Sequence, residues 1–178
     1  MLGLVAKLGR ATPYDLKREV GRAIGYFWSF PHSQLYAEPP RLVAAGLLRE
    51  EREHAGRRRR TYTITKRGRG ALDAWLRAPT PESTQIRDLG LLKLFFADEL
   101  DPQQVFELAR TRERVHRERL KHYEEIEERL RDREDVAFPY ATLRMGILCE
   151  RAFVRFWTGV AADPPHVTAR AGFAPRAE

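Results

Sequence analysis

The chain has a single cysteine, Cys149, so no intrachain disulfide can brace it, and a lone thiol suits a reducing compartment; the cytoplasm is the expected location. Nowhere do ~18 uncharged apolar residues run together, which excludes a membrane-spanning helix on length. The opening segment, Met1 to Leu8, is too short for a secretory apolar region with a cleavage site, so no export signal is expected. No glycine-rich phosphate loop and no serine nucleophile elbow occurs. The five histidines, His32, His54, His116, His122 and His166, include no pair at the close helical spacing of a zinc site, and one cysteine supplies no thiolate cluster. Cys149 lies in an apolar stretch without a neighbouring histidine, the setting of an inert thiol. Enzymatic chemistry, a metal and a cofactor are therefore not expected.

Acidic residues are scarce in the first half. Residues 1 to 80 carry 16 Lys and Arg against 7 Asp and Glu, a balance of +9, whereas residues 81 to 178 carry 16 against 18, a balance of −2. A basic half points to a polyanion partner, because each Lys or Arg that neutralises a phosphate releases condensed counterions without reading any sequence. With 43% hydrophobic residues, 178 positions suffice for two modest cores.

Met1 to Leu8 reads as a short apolar helix. Thr12 and Pro13 supply an N-cap hydroxyl and a proline at the first helical position, opening a second helix with Leu16, Val20 and Ile24 on one face and a stop at Gly25. After an aromatic connector, Tyr26 to Pro31, Ser33 is placed to cap a third helix with Leu35, Leu42 and Val43 inward, closed by Gly46. An extended run from Leu47 to Glu53, a turn at Ala55 and Gly56, four arginines from Arg57 to Arg60, and the alternating Thr61, Tyr62, Thr63, Ile64 form a hairpin with a basic tip. Thr65 caps a fourth helix, which ends before the proline-rich Ala78 to Pro81.

Beyond that boundary, Leu89 to Phe96 is an apolar helical segment, and Asp101 with Pro102 opens a long helix to about Asp135. Of the residues from Thr111 to Glu134, 16 are charged, so this helix needs a partner along its apolar stripe of Val105, Leu108, Val115, Leu120, Tyr123, Ile126 and Leu130. Pro139 separates it from a last helix, Tyr140 to about Val160, apolar around much of its circumference. The expected fold is mainly α: a winged helix-turn-helix domain with a small two-stranded β wing, followed by C-terminal antiparallel helices. The expected domains are a DNA-binding domain at 1–78, a linker and connecting helix at 79–100, a helical dimerisation region at 101–162, and a flexible tail at 163–178.

Nearly the whole chain resembles the PadR family of transcriptional regulators. The resemblance rests on Leu2, Gly3 and Leu4, Tyr14 with Leu16, Phe27 and Trp28, the run Ser33, Gln34, Leu35, Tyr36, then Arg41, Leu42 and Ala45, Gly46, Leu47, and finally Tyr62, Thr63, Ile64, Thr65 with Gly68. The second half is similar to the family's C-terminal region at Leu92, Lys93, Leu94, Phe95, Phe96, then Leu143, Arg144, Gly146, Glu150 and Arg151. The resemblance implies a homodimeric repressor, often released from DNA by a small aromatic or hydrophobic compound. One departure is visible: the family's third helix has a proline just after the tyrosine, whereas here Ala37 and Glu38 follow and Pro39 and Pro40 come later. Two interior prolines leave the helix to kink, restart at Pro39, or stop short of Arg41.

In a winged domain the third helix enters the major groove by its N-terminal part, which makes His32, Ser33, Gln34 and Tyr36 candidates for contact with operator DNA, Gln34 being suited to adenine. Arg57, Arg58, Arg59 and Arg60 suit phosphates at the hairpin tip, with Lys17, Arg18 and Arg41 as further cationic candidates. Phe27, Trp28, Phe96 and Trp157 suit either an aromatic effector cavity or packing. Val105, Leu108, Val115, Tyr123, Ile126, Leu143, Ile147 and Val154 are the expected dimer interface. The alternative reading is a helical protein–protein interaction adaptor with a basic surface and no sequence-specific DNA binding.

Overall fold

The computed structural model describes residues 1–28, 31–53, 59–81 and 83–165, which separate into two units, Met1–Ser83 and Thr84–Glu178, each with its own core. The first unit runs α1 (Leu2–Leu8), β1 (Arg10–Ala11), α2 (Pro13–Arg22), α3 (His32–Ala44), β2 (Leu48–Arg52), β3 (Arg60–Ile64) and α4 (Lys66–Arg77). Thr12 and Asp15 close a reciprocal capping box at the start of α2: the Asp15 N–H donates to Thr12 Oγ1 at 3.2 Å and the Thr12 N–H donates to Asp15 Oδ2 at 3.0 Å. That helix stops at Arg22, earlier than Gly25, and Ile24 reaches the core from a short 3-10 turn, Ile24–Tyr26. Leu4, Val5, Ala11, Leu16, Val20, Leu35, Leu48 and Tyr62 form the buried cluster.

Helix α3 neither restarts nor stops at its prolines; it runs unbroken from His32 to Ala44. Proline has no N–H, so the carbonyls of Leu35 and Tyr36 lose their usual donors four residues on, and burial of Pro39 in the unit offsets part of that loss. Ser33 is not the cap: Pro31 occupies the N-cap position without a side-chain bond, and Ser33 lies inside the first turn. At the other end Gly46 adopts φ +70, a left-handed conformation that favours glycine, and its N–H donates to the Val43 carbonyl. The sheet has three strands, not two, in the order β1-β3-β2, both pairings antiparallel. The extra strand, β1, pairs Arg10 with Thr63 and Ala11 with Tyr62. The expected turn at Ala55 and Gly56 lies outside the described residues.

The second unit holds α5 (Leu89–Phe95), α6 (Pro102–Leu130) and α7 (Ala137–Ala162). Asp88 caps α5 by accepting from the Leu91 N–H at 2.9 Å, and Asp101 with Gln104 closes a second capping box on α6. α6 ends at Leu130, short of Asp135, and α7 begins at Ala137. Pro139 thus sits in the first turn of α7, where no helical N–H is required, instead of standing between the helices. α6 and α7 are antiparallel, as their side-chain pairs show: Glu113 meets Thr158, His116 meets Glu150, and Glu127 meets Tyr140. Val105, Ala109, Trp157 and Val160 form the core, and Leu91 and Leu94 pack against it, so α5 is part of this unit's body. The expected tail from His166 onward lies outside the described residues.

Between α6 and α7 the interior is partly polar. Glu113, His116 and Glu150 are buried. Arg112 donates to His116 Nε2 at 3.1 Å and to Asp88 Oδ2 at 2.6 Å. A guanidinium can only donate, so Nε2 accepts and His116 Nδ1 donates to Glu150 Oε2, 2.6 Å away. The Phe153 ring stacks on the imidazole with centroids 4.5 Å apart. Glu113 accepts from Arg110, Arg117 and Thr158 at 2.6 to 2.9 Å. The Arg117 hydrogen bond foremost holds the Glu113 carboxyl below the usual carboxylate range.

Candidate nucleic-acid interface

His32, Ser33, Gln34, Tyr36 and Arg41 are all exposed on α3, and Lys17 is exposed on α2. Arg59 and Arg60 are exposed at the start of β3, while Arg57 and Arg58 lie outside the described residues. These candidates do not form one cluster. Tyr36, Arg59 and Arg60 line an open groove of about 520 Å³ together with Thr12, Pro13, Tyr14, Asp15 and Arg18, whereas Gln34, Arg41 and Lys17 are not among its lining residues.

The capping box that starts α2 also fixes one wall of this groove. Asp15 pairs with Arg18 at 3.0 Å, and the Arg18 guanidinium lies over the Tyr14 ring, 5.9 Å from its centroid. The Thr12 hydroxyl bond, then its backbone N–H, then Arg18 and Arg59 hold the Asp15 carboxyl below the usual range, so it stays ionised. Three arginines against one carboxylate leave the groove with an excess of two positive charges, and half-exposed Tyr14 and Tyr36 add hydroxyls. Cations, hydroxyls and a helix N-terminus are the groups that bind a phosphodiester backbone. Sequence reasoning missed Tyr14 and Thr12; a tyrosine left without an apolar partner on the first turn of α2 was the available signal.

The aromatic candidates separate. Phe27 and Trp28 belong to the first unit and are 63% and 62% exposed; Phe96 belongs to the second, exposed beside Phe95 in an edge-to-face pair at 5.0 Å. Trp157 is fully buried in the α6/α7 core, edge-on to Phe156. Its indole N–H is buried there without a hydrogen-bond partner among the described residues. Of the interface candidates, Val105, Tyr123 and Ile147 are buried within their own unit, while Leu108, Val115, Ile126, Leu143 and Val154 are partly covered.

Residues 1–74 match the family model of the PadR-like transcriptional regulators, and residues 86–162 match that of the virulence activator alpha C-terminal region. Residues 1–74 are thus a PadR-like domain, and the chain as a whole is similar to the PadR-like transcriptional regulators. This is a family of regulators and not of enzymes. The chain is 31% identical to the negative transcriptional regulator PadR of Bacillus subtilis over 110 residues, which is 61% of this chain and 60% of that relative's length. The structure is similar to that of Bacillus subtilis PadR in complex with operator DNA, with a TM-score of 0.81 and 26% identity over 90% of this chain and 94% of the other. Its likeness to the same PadR in complex with p-coumaric acid has a TM-score of 0.74 at 25% identity, covering 90% of both chains. A PadR-like regulator from Bacillus cereus shares the fold at 18% identity and a TM-score of 0.77, over 90% of this chain and 93% of that one. Among the described residues no helix is long and apolar enough to cross a membrane.

Proposed function

We propose that this PadR-like protein is a repressor that binds a pseudo-palindromic operator as a homodimer and is released by a small aromatic compound. The observation that carries the reading is the cationic groove of Thr12, Tyr14, Arg18, Tyr36, Arg59 and Arg60 beside the exposed face of α3, in a chain whose relative has been crystallised on operator DNA. In this reading residues 1–78 bind DNA, 79–100 connect, and 101–162 pair with a second copy.

A dimer interface is supported by an apolar stripe on α7 that the described residues leave uncovered: Phe138, Ala141, Met145, Leu148, Ala152 and Phe156 follow one another at spacings of three and four, and all are exposed. On α5, Leu89, Leu92 and Phe95 are exposed likewise. The effector class is supported by the relative's p-coumaric acid complex, with Phe27, Trp28 and Phe96 as the aromatic surfaces on offer.

Selection of bound sites from random duplex DNA by the full chain tests the reading. Enrichment of an inverted repeat is the expected result. Binding that depends on length and salt but enriches no sequence would replace it with a basic adaptor. Adding p-coumarate to the complex with the selected site is expected to weaken it, and an unchanged affinity across aromatic acids would remove the effector from the proposal.

A further inference from the structure

Tyr36 and Arg41 lie on opposite borders of the exposed face of α3. Successive helical residues are ~100° apart, and Leu35, Pro39, Leu42 and Val43 point into or toward the core, so the outward face is centred on Ala37, with Ser33 on the Tyr36 side of it and Arg41 and Gln34 on the other. Tyr36 is turned roughly 100° from Ala37, into the groove with Tyr14, Arg59 and Arg60. Gln34, Ala37 and Arg41 instead follow one line along the helix. They span about 10 Å of rise, the length of about three base steps.

The two borders also differ in charge. Beside the groove, three arginines outnumber one carboxylate. On the far border Arg41 stands with Glu38, Nη1 to Oε2 at 3.4 Å, and the pair is neutral. Glu38 also faces the Met1 N-terminus, so it offsets part of the pull of Arg41 on a phosphate, whereas among the groove's lining residues only Asp15 offsets the three arginines. The O6 and N7 edge of guanine carries no net charge and accepts two parallel N–H bonds from a guanidinium, and the single long contact to Glu38 leaves the other N–H groups of Arg41 to donate.

We propose that Arg41, oriented by Glu38, reads a guanine in the major groove, so that α3 contacts bases along the line of Gln34, Ala37 and Arg41 and contacts the backbone through its Tyr36 border. Glu38 is a positioning residue. The proposal rests on the DNA-binding reading above.

The test uses the full chain and the site it selects from random duplexes, with every base of that site varied in turn and affinities taken over a range of salt. Arg41→Ala is expected to lose tenfold to a hundredfold on the selected site, to lose its preference for guanine at one position per half-site, and to keep its affinity for random DNA and its salt slope. Glu38→Gln is expected to relax the same position and no other. The Arg41 side chain is 79% exposed, so the thermal melt of Arg41→Ala should match the wild type; Glu38 also faces the Met1 N-terminus, so Glu38→Gln is judged by its base preference and not by its melt. Equal losses on selected and random DNA, with the salt slope flattened by about 0.9 per subunit, would make Arg41 a phosphate contact and overturn the proposal. An unchanged preference at every position would also overturn it, leaving the DNA-binding reading intact. A wild type that enriches no site would overturn that reading and the proposal with it.

Discussion

Gly68 and Gly70 lie two residues apart in α4 and place opposite demands on the backbone. A Cβ at Gly68 would stand 2.1 Å from the Leu47 carbonyl oxygen and 2.9 Å from Ile64, because the first turn of α4 lies directly on the end of the sheet. At Gly70 a Cβ would meet nothing within 4 Å. Gly68→Ala is therefore expected to destabilise the protein by about 1–3 kcal/mol through overpacking, and Gly70→Ala to stabilise it by up to ~1 kcal/mol through helix propensity. Urea midpoints moving in opposite directions would bear this out; equal shifts would show that the close packing at Gly68 is absent in solution. At this scale the cap residues Thr12, Thr65 and Asp101 were legible, since each pairs a hydroxyl or carboxylate with an N–H three residues on. Glu113, His116 and Glu150 were not. On the charged helix α6, Glu113 and His116 read as solvated, Glu150 reads as a surface break in the apolar α7, and only their bonds to Arg110, Arg112, Arg117, Arg119, Thr158 and one another make burial affordable.

Among the elements, the long helices declared themselves through length, period and capping, whereas the shortest element left no trace. β1 is two residues long, and a two-residue strand has no alternation to detect; its existence depends on Tyr62 being free to pair on both edges of β3. The prolines of α3 presented the reverse difficulty. Pro39 and Pro40 lower the local propensity for helix, but Leu35, Pro39, Leu42 and Val43 fall on one side only if the helix continues, and packing prevails over propensity. Where α6 meets α7, Glu113 provides a measurable link between them through Thr158. Its carboxyl titrates below the ordinary range in the folded chain, so the stability it contributes is complete above the ordinary glutamate range and is lost as pH falls through the depressed folded value. Glu113→Gln is expected to cost about 1–2 kcal/mol at pH 7, since the two arginines are more than half exposed and their attraction is screened. The gap to the wild type should narrow as pH falls below the ordinary glutamate range. A gap of constant size in urea melts at pH 7 and pH 3 would show that the cost lies in the geometry of the amide and not in the charge.

At the scale of the whole molecule, what was legible was that α6 needs an apolar partner, which α7 supplies; which face of α7 stays uncovered was not. The sequence pattern marks Leu143, Ile147 and Val154 as apolar and also Met145, Leu148 and Phe156, because α7 is apolar nearly all round. Only the position of α6 separates them: Ile147 is buried against it with Leu143 and Val154 partly covered, while Met145 and Leu148 are 61% and 60% exposed. A stripe from Phe138 to Phe156 is about 27 Å long at 1.5 Å per residue, ample for a helix–helix seam, and a twofold axis would lay the same stripe of a second copy against it. The double substitution Met145→Glu, Leu148→Glu adds charge to a surface that none of the described residues buries, so the fold should survive. Paired across a twofold axis, the four carboxylates would repel one another and lose their water. Light scattering at micromolar concentration should report a dimer for the wild type and a monomer for the double variant, with unchanged far-ultraviolet circular dichroism. Affinity for an inverted repeat should then fall toward that for a single half-site, because binding of the second half-site is no longer intramolecular. A monomeric wild type would refute the interface altogether, and a double variant that stays dimeric would move it off α7, with Leu92 and Phe95 of α5 the next residues to change.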